Sequence, residues 1–357
     1  MVEPDLEERV SRRLRVGVAG LGRMGRRHAE NVAWRTRGME LVQVMDAVET
    51  TARAVGEELD VEWATSFEQL ASDARIEAVL IATPTSTHAD YIFQAALAGK
   101  HIFCEKPISS DLDSTRRAIE VARSAGVHLQ IGFHRRFDPD YAAVTQRIRA
   151  GELGRVYLFR TSLRDMSGPP AEYLRAAGSF FVDTTIHDFD AARWMVGEIS
   201  EVSAMGAALS DPAYAESGQI DNAVVTVRFA NGALGVIDNS RVAGYGYECS
   251  TELMGSSATA RIDNHRRVHV NWLTAGSDAV DWVPSFIERY PAAYLLEMEN
   301  FARSVMDDQP VAVTGEDGLA AFTLCLAAHH SLLKGRPIHL DHEMTADGNR
   351  YSTDFAD

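Results

Sequence analysis

Three sets of residues combine types and spacing that could do chemistry. The first is Gly20-Leu21-Gly22-Arg23-Met24-Gly25, which follows the apolar run Leu14–Ala19 and precedes apolar residues at helical spacing (Ala29, Val32, Ala33). Three glycines between a strand and a helix make a phosphate cradle. The first permits a tight turn, the second lets backbone approach a pyrophosphate, and the third lets helix and strand pack closely. The helix N-terminus then favours the anion. Asp46 ends the next apolar run. A carboxylate there suits free ribose hydroxyls and repels a 2′-phosphate, so the pattern predicts NAD rather than NADP; alone, Asp46 also fits a solvated strand end. The second set is Asp183 and His187, four residues apart and so on one face of a helix. A carboxylate beside a group that titrates near neutrality can move a hydroxyl proton. The same spacing also fits a helical ion pair, or a histidine filling a core beside Phe189 and Trp194. The third set, Glu105-Lys106-Pro107, follows the run His101–Cys104 and on its own is also a surface ion pair stiffened by proline.

The elements that must position these residues fall into two rhythms. From Leu14 to Gly132, the short apolar runs Leu14–Ala19, Leu41–Met45, Ala78–Ala82, His101–Cys104 and Val127–Ile131 alternate with helical patterns. Thr87 with Asp90 reads as a capping box and Gly99 as a C-terminal cap; Asp111 or Asp113 opens the next helix and Gly126 ends it. That alternation predicts a doubly wound parallel sheet, an α/β Rossmann fold. After about residue 150, strands follow one another: Val156–Leu163, Val202–Ala208, Ala223–Phe229, Ala233–Asp238, Glu248–Met254, Ala258–Ile262 and Val268–Trp272. Asn231-Gly232 is a hairpin signal between two of them. One helix, about Phe180 to Val196, precedes this block, and two, about Ala292–Met306 and Glu316–Leu333, follow it. This is an α+β domain on an open, mostly antiparallel sheet. The expected division is 12–133 for dinucleotide binding, 134–341 for substrate binding and oligomerisation, and 342–357 as a polar, poorly ordered tail.

Composition narrows the function classes. The 357 residues carry 35 Lys+Arg against 51 Asp+Glu, a formal net charge of −16. That field opposes nonspecific binding to nucleic acid or to anionic membranes. Cys104, Cys249 and Cys325 are too few and too scattered for a disulfide framework, and no pair has CxxC spacing. His187-Asp188-Phe189-Asp190 invites a metal reading, but the sequence offers no partnering ligand cluster, so no metal is expected. Met1 to Arg15 lacks the apolar core of a signal peptide, and no apolar stretch approaches the ~20 residues that cross a bilayer. The chain reads as cytoplasmic.

Taken in order, Gly20–Gly25, Ala82-Thr83-Pro84 with His88, Glu105-Lys106-Pro107, the run Gly132–Asp138, Asp183-Thr184-Thr185-Ile186-His187 and Glu316-Asp317-Gly318 resemble the glucose–fructose oxidoreductase/inositol dehydrogenase (Gfo/Idh/MocA) family. The resemblance covers nearly the whole chain. It implies an N-terminal Rossmann domain, a C-terminal α/β domain with an open sheet, and a homo-oligomer, tetramer or dimer. It implies NAD held by Gly20–Gly25, Asp46, Thr83, Pro84, His88, Glu105 and Lys106. It implies that Lys106 contacts both the nicotinamide ribose and the reacting hydroxyl, where an ammonium favours developing alkoxide. His187 becomes the general base and Asp183 its orienting partner. The implied activity is NAD-dependent oxidation of a secondary hydroxyl of a cyclic polyol or sugar to the ketone, as in an inositol 2-dehydrogenase.

Further candidates for substrate contact are His134 (beside Arg135), Arg164, Asp165 and Tyr245; each is also compatible with a solvated loop residue. The sequence departs from the inositol dehydrogenases in the loop 163–170 and at His134, so the reaction class is better marked than the substrate. Another sugar or glycoside is an alternative, as is NAD-dependent glycoside hydrolysis. A non-catalytic dinucleotide sensor is opposed by the presence of Lys106, Asp183 and His187 together.

Overall fold

The computed structural model describes residues 12–169, 178–345 and 348–352. The first eleven residues of the N-terminal stretch, Pro170 of the loop 163–170 and the last five residues of the tail lie outside them. The chain divides into two compact units, one of Met1–Phe137 with Ala292–Leu319 and one of Asp138–Pro291 with Ala320–Asp357.

The first unit is built on six strands: β1 (Leu14–Ala19), β2 (Met39–Met45), β3 (Glu62–Ala64), β4 (Ala78–Ile81), β5 (His101–Cys104) and β6 (Leu129–Ile131), in the order β3-β2-β1-β4-β5-β6 and all parallel. The order reverses direction between β1 and β4, which opens a crevice at the carboxyl ends of the strands. β1, β4 and β5 are almost wholly buried because helices cover both sheet faces. The helix Arg23–Trp34 buries Ala29 and Val32 in the core, as their spacing predicts. The helix Pro291–Met306 adds Met298, Phe301 and Ala302 to the same core, although it follows the second unit in sequence.

The second unit contains a seven-stranded sheet. Its strands are β7 (Val156–Arg164), β8 (Ile199–Ala207), β9 (Asn222–Phe229), β10 (Leu234–Ser240), β11 (Glu248–Gly255), β12 (Thr259–Ile262) and β15 (Ile338–His339), in the order β12-β11-β7-β10-β9-β8-β15. Every pair is antiparallel except β10 with β7. One face is covered. Tyr141 of the helix Pro139–Arg149 bonds Thr251 at 2.8 Å, Asp188 of the helix Ile186–Val196 faces Thr161 and Asn239, and Ser331 accepts from the Ala204 amide at 2.9 Å. The other face keeps Met205, Val224, Leu234 and Met254 exposed. A separate hairpin, β13 (Arg266–Thr274) with β14 (Ser277–Trp282), is exposed along nearly its whole length.

Several local expectations change. The helix Thr85–Leu97 starts at Thr85 behind Pro84, so Thr87 is inside it, and its hydroxyl bonds Thr83 and the Pro84 carbonyl instead of forming a capping box with Asp90. Asp111 is the N-cap of the next helix, accepting from the Ser114 amide at 2.7 Å. The β9–β10 turn contains Gly232 at φ +87° but is longer than two residues. Residues of the expected polar tail form β16 (Asp341–Thr345) and β17 (Gly348–Ser352), anchored where the Tyr351 hydroxyl accepts from the Ile199 amide at 2.9 Å. The sequence reading also missed β3 and the helix Pro139–Arg149.

Candidate active site

In the first unit, the sheet brings the scattered motifs to one edge. Asp46 follows β2, the glycine loop follows β1, Ala82-Thr83-Pro84 follows β4, Glu105-Lys106-Pro107 follows β5 and Gly132 follows β6. Parallel strands all end on the same side, so residues up to 112 positions apart in sequence (20 to 132) become neighbours there.

The three glycines are separable by what a side chain would meet. Gly20 adopts φ +84°, and a Cβ on it would lie 2.7 Å from the Ala82 oxygen and from Thr83. A Cβ on Gly25 would lie 1.7 Å from the Gly20 oxygen, so helix and loop meet through bare backbone. At Gly22 a Cβ would meet nothing within 4 Å. Gly22 is also the N-cap of its helix and offers no side-chain cap, which leaves the first-turn amides open to a bound anion. That open cradle fits a dinucleotide pyrophosphate.

Asp46 is already engaged with backbone. One carboxylate oxygen accepts from the Leu21 amide at 2.8 Å and the other from the Val48 amide at 2.9 Å. It therefore fixes the glycine loop and, half-buried, keeps lone pairs for a ribose. Leu21 contributes its amide to this bond and its side chain to the core. Arg23 is exposed and Met24 half-buried at the mouth of the loop.

His88 is placed differently from the expectation of direct cofactor contact. It is buried, with Nδ1 2.8 Å from the Pro107 carbonyl and Nε2 2.8 Å from the Thr83 carbonyl. Burial pushes its pKa down, while the two carbonyls, which favour a doubly donating ring, push it up. Both ring nitrogens are spent, so His88 ties the Thr83 turn to the Lys106-Pro107 turn instead of presenting a face to a ligand.

Beneath Glu105 is a cluster that the sequence reading did not single out. His28 Nε2 lies 2.8 Å from Glu105 Oε1, and the ligating atoms of His28, Glu105 and Glu297 all fall within 4.8 Å of one another. Neither oxygen of Glu297 has a hydrogen-bond partner among the described residues. Burial and the neighbouring Glu105 hold the Glu297 carboxyl well above the usual range. The only sequence signal was His28, one turn past Gly25. Nothing in the sequence links it to Glu297, which lies 269 residues away (297 − 28). His134 is also buried, its ring 4.8 Å from that of Tyr294, and Arg135 beside it is 2% exposed.

In the second unit, Asp183 lies in a π-helical turn, Phe181–Thr185, that runs directly into the helix Ile186–Val196. Such wide turns recur at functional sites. From Phe181 to Arg193 every residue is buried except Asp183 and His187, so these two share one half-open stripe. Asp183 accepts from Arg241 Nη1 at 2.7 Å. Arg241 is 2% exposed, stacks over Phe180 at 5.2 Å, and has no partner for Nε or Nη2 among the described residues. The sequence reading missed it because Arg241 follows a strand 58 residues away (241 − 183). Asp188 is spent on Thr161 and Asn239, so the run His187–Asp190 is not a ready ligand set.

Arg164 and Tyr245 do not join that stripe. Arg164 bonds Asp238, the Tyr245 hydroxyl at 3.2 Å and Glu248 at 3.1 Å, and Tyr245 bonds Glu248. Side chains alternate along a strand, so Ser162, Arg164 and Asp238 point to the open face. Asn239 and Arg241, one and three residues on from Asp238, serve the covered face with Asp188 and Asp183. Asp165 pairs through its backbone with Ser240 and Ala243.

Residues 14–133 match the oxidoreductase family with an NAD-binding Rossmann fold, and residues 145–340 match the C-terminal α/β domain of the same family. The chain belongs to the Gfo/Idh/MocA oxidoreductases. Within this family it is 40% identical to a myo-inositol 2-dehydrogenase of Thermotoga maritima, over 92% of this chain and 99% of that protein. It is 38% identical to the scyllo-inositol 2-dehydrogenase (NAD(+)) of Bacillus subtilis, over 92% and 96%. The crystal structure of the Lactobacillus casei scyllo-inositol dehydrogenase with bound NAD(H) and scyllo-inositol is similar with a TM-score of 0.86 at 30% identity, covering 92% and 99% of the two chains. The Gfo/Idh/MocA assignment makes residues 14–133 an NAD-binding domain, the domain that contains the open cradle at Gly22.

Proposed function

We propose that the chain is an NAD-dependent dehydrogenase that oxidises a secondary hydroxyl of an inositol-type cyclic polyol to the ketone. The observation that carries this is the likeness to inositol 2-dehydrogenases over nine-tenths of the chain. Its support in the molecule is the set of motifs that would do the work. The bound nicotinamide supplies the hydride acceptor. Lys106 polarises the reacting oxygen and favours its anionic form. His187 takes the hydroxyl proton, and Asp183, held by Arg241, orients the imidazole. Asp46 and the amides behind Gly22 hold the dinucleotide.

The proposed assembly is a homodimer or homotetramer, and the proposed setting the cytoplasm. The apolar face of the seven-stranded sheet supports the first. For the second, Cys104, Cys249 and Cys325 are buried free thiols. No described helix is long and apolar enough to cross a membrane.

The test is to mix protein, NAD and a panel of inositols, sugars and glycosides and follow NADH absorbance. Stoichiometric NADH with an inositol supports the reading. Glycoside cleavage without net NADH, or dinucleotide binding without turnover on any substrate, replaces it.

A further inference from the structure

Lys106 sits between two residues that are each gripped by a buried histidine of the same unit. On one side, Glu105 is held by His28 Nε2 at 2.8 Å. On the other, the Pro107 carbonyl faces His88 Nδ1 at 2.8 Å. His28 belongs to the helix that starts at the glycine cradle, and it is fully buried, with its ring edge-on to Phe103 and Tyr294. The Glu105 carboxylate is seated in a slot, since a Cβ on Gly132 would lie 3.0 Å from its Oε2. Glu297 closes the cluster from the helix Pro291–Met306.

We propose that His28 is a positioning residue for Lys106, acting through the hydrogen bond from its Nε2 to Glu105. The inference rests on the reading that Lys106 acts on the substrate oxygen. The His28–Glu105 bond ties the helix that receives the pyrophosphate to the segment that carries the lysine, and so sets the lysine's position relative to the bound dinucleotide. His28 itself, enclosed in the core, touches neither substrate nor cofactor. Glu297 keeps the floor of the cluster polar without competing for His28 Nε2.

Residue reach supplies the test. A glutamine amide nitrogen can stand where Nε2 stands, whereas an asparagine amide stops near the position of Nδ1. His28→Gln, His28→Asn and His28→Leu are compared in the full-length protein for kcat with an accepted polyol, and for NAD affinity by protein-fluorescence titration without substrate. His28→Asn and His28→Leu should lose about tenfold or more in kcat. NAD affinity should stay within about threefold, and His28→Gln should recover most of the rate. Equal kcat for the Gln and Asn variants at saturating NAD overturns the proposal, as does a loss confined to NAD affinity. If the Leu variant fails to fold, the Gln–Asn comparison still decides. Lys106→Ala, alone and with His28→Asn, separates this proposal from the reading beneath it. Full activity in Lys106→Ala removes the role of the lysine. A slow Lys106→Ala that His28→Asn slows by the same further factor leaves that role intact and overturns the positioning role of His28.

Discussion

Asp183 and Arg241 show how a candidate site residue can be singled out by chemistry yet misjudged in its energetics. Asp183 was legible as half of a candidate acid–base pair, but its buried partner was not, because an arginine that follows a strand carries no sequence mark of the turn it will face. The pair changes what Asp183→Asn should do. Removing the charge leaves Arg241, 2% exposed, without its counter-ion, and uncompensated buried charges cost about 3 kcal/mol or more. We therefore expect Asp183→Asn to lower Tm as well as rate, and the double variant with Arg241→Met to regain part of the Tm but none of the rate. Equal Tm in wild type and Asp183→Asn would remove the structural half of this argument. In the proposed function Asp46 carries a similar double duty. Turnover with NAD should exceed that with NADP by at least about tenfold, ~1.4 kcal/mol, because a 2′-phosphate would meet its carboxylate. Since Asp46 also accepts from the Leu21 and Val48 amides, Asp46→Ser should narrow the gap mainly by weakening NAD binding. Comparable activity of the unmodified protein with both cofactors would exclude the ribose role. His187→Ala should lose roughly 10²–10⁴ in kcat, as removal of a positioned base does. A variant as fast as the unmodified protein would move the base elsewhere.

At the scale of elements, the parallel sheet was legible because β1, β4 and β5 are short, mostly apolar runs, and runs buried on both faces stand out against the amphipathic helices between them. Leu14–Ala19 and His101–Cys104 have the predicted bounds. β3 was missed because three residues, two of them exposed, carry no period. The helix Pro139–Arg149 was passed over because its charged face hides the stripe that buries Tyr141 and Thr145, although Asp138 caps it. The return of Pro291–Met306 to the first unit's core was hidden for another reason: a periodic pattern shows that a helix has an apolar face but not which sheet that face will cover. Glu297 is the consequence, a buried acid that looks like any helical glutamate in the sequence. Its stability effect has a definite sign. Its folded pKa is raised, so the native state keeps a proton that the unfolded chain releases above about pH 4.3. Folding is then penalised progressively as pH rises from there towards the folded value. Glu297→Gln is neutral throughout and escapes the penalty. Its Tm should match wild type near about pH 4 and exceed it increasingly towards neutral pH. A Tm difference that does not change with pH would mean that Glu297 is ionised in the folded protein.

At the scale of the whole molecule, the question is what covers the second sheet face of the second unit. Alternation puts Phe159, Val225, Ile237 and Leu253 on the helix-covered side and Leu158, Val224, Leu234, Val236 and Met254 on the other. The open side carries two apolar groups, set apart because Val224 faces Asp238 and Leu234 faces Arg228. Met205 pairs in register with Val224, while Leu158 stands between Leu234 and Met254 on the two neighbouring strands. Arg160 and Glu252, directly opposite one another, place both signs of charge within it. An apolar row interrupted by paired charges of both signs is self-complementary under a two-fold axis, and an isologous contact uses the same patch twice. The exposed apolar residues are grouped across neighbouring strands, as at an interaction site, unlike singly scattered surface side chains. The expected outcome is a dimer or larger assembly in sedimentation at micromolar concentration. Met205→Glu or Val224→Arg should push it towards monomer without loss of the circular-dichroism signal, because both side chains lie outside the core. Only monomer in the unmodified protein would mean that the face is left to solvent, and that the apolar row on β7–β11 serves some purpose other than pairing two copies of this chain.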